Sequence, residues 1–237
     1  MIGMVDMHCH IVPRVDDGPH SKEEVQQLLK KEYDSGVRTI ILTPHYRKGM
    51  FETDSHTVIK YAMLVKQIVV EMNLDLEICL GREYHANNDM IEELDQDESL
   101  RMNGGRYVLV EFSSSYAYSK VRNWIYQLIT SGYKPIIAHI ERYPMVIDRM
   151  EKLEELVRLG AQIQVSSGAV LGEHGLAAKM FTRKLLKKHM VDFIGSDAHD
   201  LKDRAPNLDA CATYVEKRFG AEYAKEIFVN NPNCILA

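Results

Sequence analysis

The sequence predicts an α/β barrel of parallel strands joined by crossover helices, and three observations carry that expectation. Short β-rich runs recur seven times along the 237 residues, and amphipathic stretches of helical period lie between most of them. A Gly repeatedly separates a helix from the strand after it, as in Ser-Gly-Val-Arg-Thr-Ile-Ile, Ser-Gly-Tyr-Lys-Pro-Ile-Ile and Leu-Gly-Ala-Gln-Ile-Gln. A doubly wound open sheet competes with the barrel. The chain lacks a Gly-x-Gly-x-x-Gly turn, however, and its chemically distinctive residues are spread over most strand ends. No low-complexity linker interrupts it, so residues 1–237 are expected to form a single domain.

The first strand is expected from Met4 to His10, and Val15-Asp16-Asp17-Gly18-Pro19 then reads as a turn. Ser21 and Glu24 have the spacing of a capping box. They open a helix whose apolar positions are Val25, Leu28 and Leu29, and which Gly36 can end in a left-handed conformation. Strands follow over Arg38 to His45 and Leu76 to Glu83, separated by a helix marked by Val58, Tyr61, Ala62, Val65, Ile68, Val69 and Met72. The remaining strands are Tyr107 to Phe112, Pro135 to His139, Ala161 to Val165 and Val191 to Ser196. Val121, Trp124, Ile125, Leu128 and Ile129 form the helix before Gly132, and Gly160 again precedes a strand.

Composition narrows the function. Hydrophobic residues make up 46% and charged residues 27%, the balance of a soluble globular protein, and the formal charge is −5. A phosphate-tracking surface needs an excess of Lys and Arg, so no nucleic-acid partner is expected, and metals or cationic partners fit better. The start Met-Ile-Gly-Met-Val-Asp has no basic region followed by an apolar one, and no apolar run approaches the roughly 18 residues of a membrane span. No direct membrane insertion is expected. Cys9, Cys79, Cys211 and Cys234 lie far apart without a Cys-x-x-Cys pair, which suggests a reducing cytoplasm. None begins a Cys-x5-Arg phosphate cradle, because Val15, His85 and Lys217 stand where the Arg would be.

Of ten histidines, six (His8, His10, His45, His85, His139 and His199) sit at or just beyond the C-terminal end of an expected strand. His20, His56, His174 and His189 do not. Strand ends also carry Glu83, Glu111 and Asp197, on the face where barrels of this kind keep their active sites. Alternation along Asp6-Met7-His8-Cys9-His10 points both imidazoles to one side and Cys9 to the other. Two hydrogen-bonded core histidines would be the bland account, and salt bridges to Arg82 and Arg106 would be the bland account of Glu83 and Glu111. With Asp17, the candidate metal ligands are His8, His10, Asp17, His45, Glu83, Glu111, His139, Asp197 and His199. Nine groups exceed the needs of one ion, whereas bridging carboxylates can hold two or three about 3.5–4 Å apart. Mixed imidazole and carboxylate donors suit Mn²⁺, Fe²⁺ or Zn²⁺ better than Ca²⁺. Arg142 and Arg204 follow ligands on separate strands, and a guanidinium matches phosphate oxygens with paired hydrogen bonds. Phosphoester hydrolysis is therefore the leading chemistry.

The words Asp-Met-His-Cys-His, Thr-Pro-His, Gly-Arg-Glu, Glu-Phe, His-Ile-Glu-Arg and Ser-Asp-Ala-His resemble the PHP (polymerase and histidinol phosphatase) superfamily over nearly the whole chain. Val-Asp-Asp-Gly-Pro, Arg-Lys-Gly-Met-Phe and Ala-His-Ile-Glu-Arg-Tyr are similar to its manganese-dependent protein-tyrosine phosphatases of bacterial capsule and exopolysaccharide loci. The resemblance implies a distorted, TIM-like seven-stranded β/α barrel and three divalent ions, with manganese expected and iron or zinc as substitutes. One ion would lie on His8, His10, Glu83 and Asp197, a second on Glu83, Glu111 and His139, and a third on Asp17, His45 and His199. Arg142 and Arg204 would bind phosphate, with His45 and His139 also counted as catalytic. Asp200 stands where Asn is common, and Met1-Ile2-Gly3 extends the usual start.

The expected reaction is in-line attack on phosphorus by a hydroxide held on the metals, without a phosphoenzyme. The implied substrate is the phosphotyrosyl tail of a bacterial tyrosine kinase that regulates polysaccharide output, and that kinase would draw the protein to the inner face of the membrane. Tyr46, Arg47, Lys48, Phe51, Tyr84 and Tyr143 lie beside the expected site and could hold a phenyl phosphate. One alternative is a small phosphoester such as histidinol phosphate. The other is a non-catalytic, metal-containing partner of the polysaccharide machinery.

Overall fold

A computed structural model describes residues 1–237. In chain order the elements begin β1 (Met4–Cys9), α1 (Lys22–Asp34), β2 (Val37–Leu42), β3 (His45–Tyr46), α2 (Ser55–Glu71), β4 (Glu77–Leu80), β5 (Glu83–His85) and α3 (Met90–Gln96). They continue with β6 (Tyr107–Glu111), α4 (Tyr118–Thr130), β7 (Lys134–Ile137), α5 (Pro144–Ile147), α6 (Met150–Leu159) and β8 (Gln162–Ser166). The last are α7 (Ser167–Leu171), α8 (Leu176–Lys187), β9 (Phe193–Gly195), α9 (Leu208–Phe219), α10 (Ala221–Lys225) and α11 (Asn231–Leu236).

Every strand pairing is parallel, in the orders β1-β2-β4 and β3-β5-β6-β7-β8-β9. Because β3 prolongs β2 and β5 prolongs β4, the nine short strands form seven staves, the number expected from the sequence. The ring is drawn together by a parallel bridge between Cys9 and Ala198, where Asp197 N donates to His8 O and His10 N to Ala198 O, both at 2.8 Å.

Two strands expected to be continuous are broken, and this is where the barrel is distorted. Pro44 has no N–H to give a ladder, and the chain kinks at Thr43-Pro44 before β3. The neighbouring stave breaks in step at Gly81-Arg82: Gly81 N donates to Leu42 O at 2.8 Å, and Glu83 N to Pro44 O at 3.2 Å. A Cβ at Gly81 would stand 2.8 Å from Met102 Sδ and 3.1 Å from Met102 Cα, so glycine favours this close approach. Below the break β4 pairs with β2 alone, and Met102 fills the gap toward β6.

The helix signals hold. Ser21 Oγ accepts from Glu24 N while the Glu24 carboxylate accepts from Ser21 N, and Gly36 turns the chain at φ 93°. Val25, Leu28 and Leu29 face the core, as do Val58, Ala62, Val65, Ile68 and Val69 of α2. Inside the ring, Val5, Met7, Ile41, Leu109, Ile136 and Phe193 form an apolar plug joined by Met102 and, from α11, Ile235. This leaves the polar ends of the staves at the opposite mouth. No helix is long and apolar enough to cross a membrane.

Asp192, just before β9, offers a stability test away from that mouth. Burial, with Glu226 nearby, lifts its carboxyl to about 6 although Ile163 N donates to it at 2.7 Å. A folded-state value above the unfolded value of about 3.9 means that the native state binds the extra proton between these limits, so stability falls as pH rises from about 4 to 6. Asp192→Asn is expected to raise stability by about 1–2 kcal/mol at pH 7.5 and by less at pH 5, measured by urea unfolding.

Candidate metal centre

The stave ends bring all nine expected ligands into one cluster. His8 lies in β1 and His10 just beyond its end, with Nε2 atoms 3.2 Å apart, while Cys9 turns away into the core. Asp6, fully buried, accepts from Ser196 N at 2.9 Å and from Ser196 Oγ, pinning β1 to β9 next to His8 and Asp197. His45 follows the Pro44 kink and Glu83 follows the Gly81 break, so the two distortions set the direction in which these ligands enter. His139 and Asp197 adopt left-handed backbone at φ 33° and 55°. Such conformations cost about 1–3 kcal/mol each in a non-glycine residue and persist only where the surroundings impose them. At His139 the restraint is Gln164, whose side-chain oxygen accepts from the His139 N–H.

Glu83 is the centre of the cluster. Its Oε1 lies 2.6 Å from His139 Nε2, while Oε2 lies 3.3, 3.2 and 3.1 Å from His8 Nε2, His10 Nε2 and His45 Nδ1. Asp197 Oδ1 is 3.7 Å from both His8 and His10 Nε2, and Asp17 Oδ1 is 3.6 Å from His45 and 3.3 Å from His199. Glu111 Oε1 is 3.8 Å from His139. Although these groups are close, Glu83 Oε2, His45 Nδ1 and His199 Nε2 are buried without an aligned hydrogen bond. Orphaned donors of this chemistry converging on common points fit divalent cations, because an ion satisfies several of them at once.

Three overlapping groups have donor atoms within 4.8 Å of one another: His8, His10 and Asp197; His45, Glu83 and Glu111; and His10, Asp17, His45 and His199. The division that the resemblance implied differs from this one in four respects: Glu83 is missing from the first group, His139 belongs to none of the three and instead lies against Glu83 Oε1 at 2.6 Å, and His45 and His10 are shared between groups. His45 groups with Glu83 and Glu111, its Nδ1 facing Glu83, while its Nε2 reaches Asp17.

The electrostatics follow from this crowding. Burial opposes charge on Glu83, yet His8, His45 and His139 hold its carboxyl well below the usual range. In return, and against burial, Glu83 lifts His8 to about 8 and His45 to about 9. Burial and the nearby Glu83 charge raise Glu111 to about 7. His139 is lowered to about 4 by burial and Arg142, and His199 to about 4 by burial and His10. Neutral imidazole is the form that ligates a metal.

Arg142 donates to Asp197, and Arg204 Nη2 donates to Asp17 Oδ2 at 2.7 Å. Asp17, Arg142 and Arg204 keep 41%, 37% and 32% of their side chains exposed while Glu83, His8 and His10 are sealed, so the two arginines and Asp17 stand at the mouth and Glu83, His8 and His10 at the floor. A cavity of about 340 Å³ opens beside Asp17 and His199, toward His20 and Lys202.

The bland salt bridges do not form. Arg82 turns away to the His45 and Thr53 carbonyls, and Arg106 pairs with no carboxylate. Two residues expected to border the substrate do not reach it. Tyr84 is fully buried with its hydroxyl on Glu93, and Tyr143 is buried with its hydroxyl accepting from Phe112 N at 3.1 Å and lying 3.4 Å from His139 Nδ1. Phe51 instead stacks on His45 with ring centroids 5.2 Å apart, and Lys48 pairs with Asp89 and Glu93. Asp16, read from the sequence as part of a turn, is a supporting residue: its Oδ2 lies 2.8 Å from His10 Nδ1 and accepts from His45 N at 2.9 Å. A carboxylate behind a ligating imidazole fixes its tautomer and orientation. The preceding position in an Asp-Asp pair was the available signal.

The model of the family described as capsular polysaccharide synthesis, CpsB/CapC, matches residues 4–237. The tyrosine-protein phosphatase CpsB of Streptococcus pneumoniae is 37% identical over 238 residues, covering 98% of each chain. The tyrosine-protein phosphatase YwqE of Bacillus subtilis strain 168 is 30% identical over 219 residues, covering 92% of this chain and 86% of its own. A crystal structure from work on YwqE and CpsB, described there as unique metal-dependent tyrosine phosphatases, superposes with a TM-score of 0.88 and 30% identity, covering 93% of this chain and 90% of that one. With the family model spanning almost its whole length, this chain belongs to the CpsB/CapC family of capsular polysaccharide synthesis.

Proposed function

We propose that residues 1–237 form one metallophosphatase domain that hydrolyses phosphotyrosine on protein, a phosphoric monoester hydrolase acting in capsule or exopolysaccharide synthesis. The observation that carries this reading is the pairing of each mouth arginine with a carboxylate of the nine-group cluster, Arg142 with Asp197 and Arg204 with Asp17. Similarity to relatives named tyrosine-protein phosphatases supplies the phosphotyrosyl substrate. A bacterial tyrosine kinase of polysaccharide assembly is the proposed phosphoprotein, which would bring a cytoplasmic enzyme to the inner face of the membrane.

His8, His10, Asp17, His45, Glu83, Glu111, His139, Asp197 and His199 are the proposed ligands, with Mn²⁺ as the native ion. Bound there, divalent ions supply Lewis-acid stabilisation of phosphoryl charge and an activated water near neutral pH. Glu83 and the left-handed His139 and Asp197 hold the donor set rigid, so little reorganisation accompanies reaction. Arg142 and Arg204 clamp the equatorial phosphoryl oxygens from the solvent side and orient the ester for in-line displacement. Phe51, stacked on His45, gives the mouth an aromatic wall for a phenyl ring.

Phosphate release from a phosphotyrosyl peptide, measured with Mn²⁺, with other divalent ions and with a chelator, tests this reading. Rapid release with Mn²⁺, abolished by the chelator, is expected. Faster release from histidinol phosphate than from the peptide would shift the substrate to small phosphoesters. Tight kinase binding with no metal-dependent release would make the protein a non-catalytic partner.

A further inference from the structure

Six of the seven staves end in a proposed ligand, and β8 alone does not. It lies between β7, which leads to Arg142, and β9, which leads to Asp197 and Arg204. In place of a ligand, β8 gives way to α7 and a short loop, Gly172-Glu173-His174-Gly175. That loop is anchored at both sides: Lys179 Nζ donates to Leu171 O at 2.8 Å, and Asn207 Nδ2 donates to the Glu173 carboxylate at 2.7 Å. The His174 ring folds back over Gly168, close enough that a Cβ there would stand 3.0 Å from Nε2. His174 is solvent-exposed, its imidazole makes no hydrogen bond, and the charges acting on it are those of Arg142, Asp197, Glu173 and Arg204. The stave order thus places a free imidazole at the mouth, on the loop between the staves that lead to Arg142 and to Arg204.

We propose that His174 is a catalytic residue, the acid that protonates the departing tyrosine oxygen. This rests on the phosphatase reading and completes it, since a tyrosine phenolate, with a conjugate-acid pKa of about 10, is a poor leaving group without a proton. The oxygen of a water forms the new bond to phosphorus, and the bond from phosphorus to the phenolic oxygen breaks with its electron pair staying on that oxygen. The ring proton of His174 moves to it, giving tyrosine. One proton of the attacking water remains on hydrogen phosphate and the other passes to solvent, from which His174 is reprotonated. Although the residue as a whole is exposed, partial desolvation of its ring by the folded-back loop and the Arg142 charge hold His174 below the ordinary histidine range before substrate arrives. A phosphate dianion between Arg142 and Arg204 offsets those positive charges, so the charged imidazolium forms in the complex in which it is needed.

The test compares His174→Gln with the parent protein, both loaded with Mn²⁺, on phenyl phosphate, a phosphotyrosyl peptide and 4-nitrophenyl phosphate, whose phenol is far more acidic. The variant is expected to lose about 10²-fold or more in kcat on the first two substrates and only a few-fold on the third, with metal content and unfolding temperature unchanged. The dependence of kcat on leaving-group basicity then steepens, which a merely structural role would not produce. An equal loss on all three substrates, or no loss on any, overturns the proposal. Failure of the parent protein to hydrolyse any aryl phosphate overturns the phosphatase reading instead.

Discussion

Glu83→Gln is expected to lower phosphotyrosine hydrolysis by about 10³-fold or more and to reduce the divalent metal bound per chain. The two carboxylate oxygens divide the work of the site, with Oε1 on His139 and Oε2 among His8, His10 and His45. Glu83 is the one carboxylate that lies within 3.3 Å of four proposed ligands. An amide keeps the volume and one oxygen but removes the negative charge that balances adjacent cations, and its NH₂ points a donor where a donor cannot ligate. Since each 1.4 kcal/mol is about tenfold in rate, a loss of about 4 kcal/mol of charge stabilisation gives the stated effect. The check is steady-state hydrolysis together with metal analysis of the purified variant. Normal metal content with normal turnover would remove Glu83 from the bridging position. Normal metal content with lost turnover would move its role from holding ions to orienting the reaction.

The reasons that Glu83 stands out explain how much the sequence discloses. Strand-end histidines and carboxylates are legible because alternation and the barrel's chemistry-bearing face are properties of local pattern, and His8, His10, Glu83, Glu111, His139, Asp197 and His199 all fall where the pattern predicts. What pattern does not carry is the third dimension. Pro44 and Gly81 lie far apart in sequence, yet their adjacent kinks turn His45 and Glu83 inward together. The left-handed backbone of His139 depends on Gln164 from the next stave, and no spacing rule links the two. Tyr84 and Tyr143 appear in the sequence as polar aromatics beside a site, but burial turns one toward Glu93 and the other toward the Phe112 backbone. Asp16 hides for a different reason. An Asp-Asp-Gly-Pro turn explains itself locally, so its bond to His10 is visible only once β1 and the turn are folded against each other.

Arg142→Lys is expected to lower kcat/KM for phosphotyrosyl peptide by about 10²–10³-fold while leaving bound metal unchanged. Lys keeps the positive charge but not the planar fork, so the comparison isolates the paired hydrogen bonds to phosphate. The arginine is already oriented in the resting protein: it donates to Asp197 through one nitrogen, which leaves the rest of the guanidinium free toward the mouth. Arg204 is held the same way by Asp17. Because both side chains act on one phosphoryl group, the Arg142→Lys, Arg204→Lys double variant should lose less than the product of the single losses. Weaker inhibition by inorganic phosphate in each single variant is the companion measurement, since it reports on phosphate binding without chemistry. A fall in metal content on Arg142→Lys would mean that the arginine serves mainly to hold Asp197 in place. Unchanged metal with unchanged phosphate inhibition would place the phosphate elsewhere in the mouth, toward the cavity beside Asp17 and His199.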